Sequence, residues 1–335
     1  LMTPDFSLLM REANKVYSDN FAPETWFGRC LFLSWYCDVG TCDFCFRSTI
    51  KHKIRHAKSA KRDVASLLAE AIVGKNLGWR VEFLTGGYRI FAFEEIVEIA
   101  GHVSTVYGEK TWVNLGALDA AQLERLRPYV EGVCASIECV DPVLHDRICP
   151  DKPISPYSDM LRAAKEMGFK TSITIVIGLG ESKSDFERLA DFILEHKLDR
   201  ITFYALKPVK GTPYTESPEP EDYAWWIAQT RVRFPKLEIM AGLTPQRAED
   251  YAGLLLRAGA NALTKFPAVK RFGSAQALEI ERQALEAGRE FRGSLSVVPD
   301  VDWDSEIDGL DVDDALKERV RGKLKGILEQ MRSEK

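Results

Sequence analysis

Eight short β-rich runs alternate with eight longer helical patterns along this chain of 335 residues, and that alternation constrains the fold more than any other feature. The strand candidates are 29–36 (RCLFLSWY), 80–84, 111–115, 132–138, 170–177, 199–206, 236–241 and 259–263. Helical patterns occupy 60–76, 93–107, 119–127, 157–168, 182–197, 220–233, 246–257 and 274–290. Strand–helix alternation with tight connections builds a parallel sheet, and eight units is the number that closes a barrel. The expected fold class is α/β, a (βα)8 TIM-type barrel. A doubly wound open sheet is the alternative, and it would follow if 111–115 or 259–263 proved to be loop.

Three regions follow from this frame: a polar N-terminal leader over 1–28, the barrel over 29–290, and a C-terminal acidic segment and helix over 291–335. In the last region PDVDWDSEIDGLDVDD is acidic and turn-rich, and ALKERVRGKLKGILEQMRSEK then carries leucine or isoleucine on one helical face. That helix reads as an appendage packed on the barrel wall, or else as a partner-binding helix. No apolar run approaches the roughly 18 residues of a membrane span, and there is no signal-peptide pattern. With 45 Lys+Arg against 50 Asp+Glu, the charge gives no global reason to expect nucleic acid. The expectation is a cytoplasmic protein with neither a membrane nor a nucleic-acid partner.

Seven cysteines is an odd count, and three of them crowd into nine residues: Cys37, Cys42 and Cys45. Disulfide frameworks suit short secreted chains, so the crowding reads as metal or redox chemistry. The run Cys37-Asp38-Val39-Gly40-Thr41-Cys42-Asp43-Phe44-Cys45 directly follows the first strand candidate. The C-terminal end of a strand is where a barrel places its chemistry. Three thiolates at these spacings can surround one face of a cubane, and a [4Fe–4S] cluster so held keeps one iron open to bind something else. Zinc is a rival, but its structural sites want four closed ligands, and His52 and His56 lie at spacings that match no zinc pattern. Three buried free cysteines are a third reading.

This cysteine run resembles that of the radical S-adenosylmethionine (SAM) superfamily, whose pattern is Cys-x3-Cys-x2-Cys with an aromatic before the third cysteine. Phe44 supplies the aromatic, and the first spacer here has one residue more. The resemblance implies that Cys37, Cys42 and Cys45 hold a [4Fe–4S] cluster that binds SAM. It further implies reductive SAM cleavage, with electrons from a reductant such as ferredoxin or flavodoxin, to a 5′-deoxyadenosyl radical that abstracts hydrogen from an unactivated carbon. Thr85-Gly86-Gly87-Tyr88 falls where the family's glycine pair binds the SAM amino group, with Tyr88 in the usual Glu position. Ser136 and Glu138, two apart on a strand candidate, share a face and match the pair that contacts the SAM ribose and amino-acid portion. An inward carboxylate needs a partner to be buried, so Glu138 demands a cation or hydroxyls.

From Ser136 to Lys152 the chain looks like the branch of biotin synthase, HydE-type maturases and methylornithine synthase. An Arg that holds the SAM carboxylate in that branch falls on Tyr157, which leaves Arg147, Lys152 and Arg162 as candidate substitutes. Ile175 to Glu181, with Ile177, matches the adenine-contacting segment, and Leu206-Lys207-Pro208-Val209-Lys210-Gly211-Thr212-Pro213 matches the branch's KGTP loop, with Leu206 in the cofactor set. Residues 243–267, with Arg257-Ala258-Gly259-Ala260-Asn261, resemble the half shared by biotin and thiamin synthesis enzymes. The resemblance spans about residues 25–270.

Biotin synthase holds a second, sulfur-donating [2Fe–2S] cluster on three Cys and one Arg inside its barrel; the matching positions include Trp112, Ser172 and Glu238, which implies that this cluster is absent. Cys30 and Cys134 read as core, whereas Cys139 and Cys149 remain candidates for an auxiliary cluster near the catalytic end of the fourth strand. Residues 51–62 (KHKIRHAKSAKR) hold six cationic side chains and no acid, either as a solvated loop or as a dock for an acidic protein. The overall resemblance is to the archaeal two-component lipoyl synthase. It implies sulfur insertion into an octanoyl chain on an acidic lipoyl carrier protein, a second synthase subunit and a second iron–sulfur cluster. A carbon-skeleton rearrangement or a metallocofactor maturase is the alternative within enzymes, and a zinc-binding assembly factor the alternative outside them.

Overall fold

The computed structural model describes residues 4–86, 90–243 and 248–333. Its strands are β1 (Glu24–Phe32), β2 (Arg80–Thr85), β3 (Thr111–Asn114), β4 (Val130–Glu138), β5 (Lys170–Ile177), β6 (Arg200–Ala205), β7 (Glu238–Gly242), β8 (Ala262–Thr264) and β9 (Glu290–Arg292). The helices are α1 (Pro4–Asn20), α2 (Phe46–Ile50), α3 (Val64–Asn76), α4 (Phe93–Tyr107), α5 (Ala120–Leu126), α6 (Pro142–Ile148), α7 (Ser155–Glu166), α8 (Phe186–Glu195), α9 (Pro220–Arg233), α10 (Ala248–Arg257), α11 (Ala275–Glu286), α12 (Trp303–Asp308) and α13 (Asp314–Ser333).

Strands β2 through β8 pair in sequence order, and β1 pairs in parallel with both β8 and β2, closing an eight-stranded parallel barrel. Short as they are, β3 and β8 both carry ladder pairs on each side, so the open-sheet alternative does not hold. The sequence pattern explains the layers. β5 is KTSITIVI, buried from Thr171 to Ile177 because helices cover one face and the barrel interior the other. In α8, Phe186, Leu189, Ala190 and Ile193 recur at helical spacing and are the residues buried. Asp119 caps α5 by accepting from the Gln122 amide at 2.8 Å.

Two boundaries differ from the sequence expectation. β1 begins at Glu24 and ends at Phe32, instead of spanning 29–36, because beyond the Leu33 amide's bond to the Thr85 carbonyl the chain pairs with 60–62 instead, Trp35 donating to Ala60 and the Arg62 amide to Leu33. Within the segment read as a leader, residues 4–20 form α1, which buries Phe6, Met10, Ala13 and Tyr17 at helical spacing; the Tyr17 hydroxyl donates to the Glu24 carbonyl at 2.8 Å. Beyond the barrel, β9 pairs with the first three residues of β1, and α13 packs against α3, burying Val320, Leu324, Leu328 and Met331. Among the described residues no helix is long and apolar enough to cross a membrane.

At the N-terminal end of the barrel the Arg200 guanidinium lies 4.0 Å from the Trp112 ring and 2.6 Å from Glu238, while Trp112 donates to Glu131. These side chains plug that end, so the accessible chemistry lies at the other.

Candidate active site

After β1 the chain crosses the C-terminal mouth of the barrel as an irregular loop that carries Cys37, Cys42 and Cys45. Its conformation is braced from within. Gly40, at φ +54°, sits in the turn between Cys37 and Cys42, and the Lys51 ammonium donates to the carbonyls of Asp38 at 2.6 Å and Val39 at 2.7 Å. The Asp43 amide donates to the Ile148 carbonyl, and Tyr214 from the KGTP loop reaches the Asp43 carboxylate at 3.1 Å. Burial, followed by the Asp43 charge, pushes the Tyr214 phenol up to about 12.

Cys37, Cys42 and Cys45 line one cavity together with Phe44, Gly86, Ser136, Glu138, Lys152 and Tyr157. Gly86 has φ +96°, and a Cβ there would come within 2.9 Å of Arg47 and 3.0 Å of the Ser34 carbonyl; only glycine lets the β2 edge approach this closely. Gly87 and Tyr88 lie outside the described residues. Ser136 donates to Asn114 at 3.0 Å, a β3 residue that sequence reasoning missed. A register shift between Ser136 and Glu138 breaks strict alternation, and Glu138 adopts φ +64°, yet both side chains still face the cavity.

The cation that Glu138 demands is Lys152, at 2.7 Å, with Thr174 donating to the other carboxylate oxygen at 3.4 Å. Burial alone would lower the Lys152 ammonium, but Glu138 and then Cys149 and Cys42 more than offset this and hold it well above its ordinary value. The neighbouring Cys149 thiol, helped by Lys152, draws Cys42 toward thiolate and is itself driven the other way, while burial raises Cys45.

Other sequence-derived candidates are placed elsewhere. Arg147 is not part of the cavity wall; its guanidinium lies near Gly180 and acts on Asp43. Arg162 is half-exposed and paired with Asp159 and Glu195, so it cannot hold a ligand in the cavity. Ile177 is in the core and offers its carbonyl to the Leu206 amide, whereas Leu206 lines a second cavity. Cys139 is buried among Leu144, Val176 and Leu179, with its sulfur 3.9 Å from the Asp141 carbonyl. Among the described residues no three His, Cys, Asp or Glu side chains close round a single metal ion. The basic run is half spent on structure: Lys51 holds the cysteine loop, Lys61 pairs with Glu95 and Arg62 with Glu70, leaving Lys53, Arg55 and Lys58 exposed.

The second cavity, of about 340 Å³, shares Phe44, Cys45 and Arg47 with the first. Its lining is mostly apolar, with Phe32, Val176, Leu206 and Leu243, and it also holds Tyr204 and Lys265. Arg47 is the guanidinium that sequence reasoning missed; its position two residues past Cys45 was the available signal. Beneath it, the buried Glu82 carboxylate accepts from Cys30 at 2.8 Å and from Tyr204 and Thr264, so it is saturated within the barrel.

A closed parallel barrel with a three-cysteine loop over its C-terminal mouth belongs to a known class, and the comparisons agree. The radical SAM superfamily model matches residues 34–193. An uncharacterized protein of Methanocaldococcus jannaschii is 39% identical over 289 residues, 85% of this chain and 80% of that protein. Biotin synthase of Acidithiobacillus ferrooxidans is 28% identical over 236 residues, 66% of this chain and 72% of the relative. In fold, methylornithine synthase superposes with a TM-score of 0.71 at 20% identity, covering 87% of this chain and 90% of that one. The FeFe-hydrogenase maturase HydG from Carboxydothermus hydrogenoformans gives 0.68 at 16%, covering 99% and 86%. The chain belongs to the radical SAM superfamily, in the branch that includes biotin synthase.

Proposed function

We propose that this protein is a radical SAM enzyme whose cluster is held by Cys37, Cys42 and Cys45 and whose small substrate lies in the second cavity. The observation that carries this reading is that the two cavities share a wall: Phe44, Cys45 and Arg47 face both. A [4Fe–4S] cluster with SAM supplies a 5′-deoxyadenosyl radical able to take hydrogen from an unactivated carbon. The donor set suits such a cluster: three thiols on one loop, one of them drawn toward thiolate, supply three of the usual four ligands. The chain's own residues position and enclose. Gly86 and the Ser136–Asn114 pair shape the SAM side, Glu138 with Lys152 fixes a polar wall there, and Phe32, Phe44, Leu206 and Leu243 exclude water beside the reacting carbon. A low-potential protein such as ferredoxin or flavodoxin supplies the electron.

The test is 5′-deoxyadenosine formation by the anaerobically reconstituted chain under dithionite. Replacing all three cysteines with Ala should abolish it, and undiminished formation would overturn the assignment.

Sulfur insertion into an octanoyl chain, with an acidic lipoyl carrier and a second synthase subunit, is a narrower second reading. What favours it is the apolar lining of the second cavity and the three exposed cations of 51–62. It also needs a sulfur source, and Cys139 and Cys149 gather no third ligand among the described residues. Iron counting separates the readings: about eight irons for two cubanes, about four for one.

A further inference from the structure

The second cavity carries a charge imbalance that its apolar walls make meaningful. Three cations line it, Arg47, Lys207 and Lys265, and no carboxylate does among the described residues. None of the three forms an ion pair with a described residue. Arg47 donates one long hydrogen bond, 3.3 Å, to the Ser34 carbonyl, and its Nε is buried with no partner. Lys265 reaches only the Cys30 sulfur, at 3.9 Å. Both cations address the same ring: the Arg47 guanidinium lies 5.4 Å and the Lys265 ammonium 5.2 Å from the Phe32 centroid. Glu82, the nearby acid, is committed to Cys30, Tyr204 and Thr264 and is 1% exposed.

Lys207 and Lys265 are exposed and Arg47 is partly buried, so water solvates them in the free protein; their convergence on one cavity with no lining carboxylate among the described residues makes a positive site whose natural occupant is an anion. Backbone geometry says that the arrangement is held deliberately. Lys265 follows β8 at φ +68°, a left-handed conformation that an unbranched side chain adopts at a cost, and one that aims it over Phe32 and Tyr204 at the cavity mouth. Arg47 is fixed by the Phe32 and Phe46 rings and by its bond to Ser34.

We propose that the substrate of this cavity is a small molecule with an anionic head, carboxylate or phosphate, on an apolar body. The head is bound between Lys265 and Arg47, with Lys207 at the rim, and the apolar body lies along Leu206 and Leu243. This deepens the first functional reading and rests on it for the identity of the cavity. A neutral octanoyl amide would leave all three cations uncompensated, so the proposal also separates the two readings.

The test is calorimetric binding to the anaerobically reconstituted full-length chain with SAM present, using octanoate, octyl phosphate and neutral octanamide as probes. The expected result is that at least one anionic probe binds about ten- to a hundredfold more tightly than octanamide, as a charge-assisted bond warrants; which of the two is tighter assigns the head as carboxylate or phosphate. Lys265→Met and Arg47→Gln should each bring the anion down toward octanamide while octanamide binding, the control for an intact cavity, stays as in the parent. Equal affinities for all three probes on the parent chain, or variants that bind the anions undiminished, would overturn the proposal. Because the readout is binding, a negative result leaves SAM cleavage, measured separately as 5′-deoxyadenosine, standing or falling on its own.

Discussion

The Lys152 ammonium lies 2.7 Å from the Glu138 carboxylate, with both side chains almost out of water and Cys42 and Cys149 close enough to act on the ammonium. A buried pair of this kind contributes little over an apolar replacement, but breaking it strands one charge, at a cost of about 3–5 kcal/mol.

Glu138→Gln should therefore lower the urea midpoint substantially, and the double variant Glu138→Gln/Lys152→Met should recover most of the loss. A single variant as stable as the parent would show that water reaches Lys152. On the proposed site assignment Glu138→Ala should also weaken SAM binding about ten- to a hundredfold at unchanged iron content, read by SAM titration.

Much of this site was legible in advance. The eight strands, the cysteine loop, Gly86, Ser136 and Glu138 are local patterns, readable because strand periodicity and loop composition are local. What the sequence hid depends on closure. Cys149 and Cys42 are 107 positions apart and meet only because α6 returns to the cysteine loop, where the Ile148 carbonyl receives the Asp43 amide. Arg47, Asn114 and Lys265 are single polar residues at element ends with no periodicity to mark them, and only the closed barrel brings them to one mouth. Conversely, Asn261, part of a family-like motif, turned out to be structural: its carboxamide accepts from the buried Arg231 at 2.6 Å and from the Ile239 amide.

That Arg231 is a structural keystone predicts a stability effect. It is fully buried and also donates to the carbonyls of Leu237, Pro235 and Gly259, tying α9 to the start of β7 and the approach to β8. Arg231→Met should cost about 3 kcal/mol or more by orphaning those acceptors. Urea denaturation checks it, and a loss under 1 kcal/mol would mean that water replaces the guanidinium.

Acid sensitivity should come from histidine. Burial lowers both His145 and His196 below the ordinary value of about 6.5, and the Nδ1 atoms of both are buried without a hydrogen-bond partner. The unfolded chain takes these protons first, so stability falls as pH drops through about 6.5 and levels off below the folded values. Lys152 acts oppositely: its raised value leaves its contribution constant until pH exceeds about 10.4. Urea midpoints at pH 8 and pH 6 should differ, and His145→Gln/His196→Gln should flatten the difference. An unchanged slope in that variant would assign the effect to carboxylates.

Lys51 should matter to cluster retention although it touches no sulfur. Its two bonds to the Asp38 and Val39 carbonyls close the turn between Cys37 and Cys42. Because the head group is partly solvated, their joint contribution is about 1–3 kcal/mol. Lys51→Met should lose iron to a chelator several-fold faster than the parent, while Lys53→Met, exposed on the same basic run, should not. Equal release rates in both variants would show that the loop holds its shape without the clamp.

The last prediction concerns Cys149, which the sequence offered as an auxiliary ligand together with Cys139. In the structure its thiol packs beside Cys42, placed to donate to a cluster sulfur there, whereas Cys139 sits 3.9 Å from a carbonyl within an apolar cluster. Donors aimed at a cluster's sulfurs favour the reduced, more negative state, and removing one makes reduction harder. With Cys42 as a ligand, Cys149→Ala should keep full iron content and shift the midpoint potential down by roughly 20–60 mV, the equivalent of one ordinary hydrogen bond for a one-electron couple. Cys139→Ala should leave the potential unmoved. Redox titration followed by EPR on the single variants, with iron counting on the combined variant, separates three outcomes. A downward shift confined to Cys149→Ala supports the donor role. No shift in either variant means that the thiol rotates away once the cluster is bound. A loss of about half the iron in the combined Cys139→Ala/Cys149→Ala variant would restore both cysteines as ligands of a second cluster, and with it the sulfur source that the octanoyl reading requires.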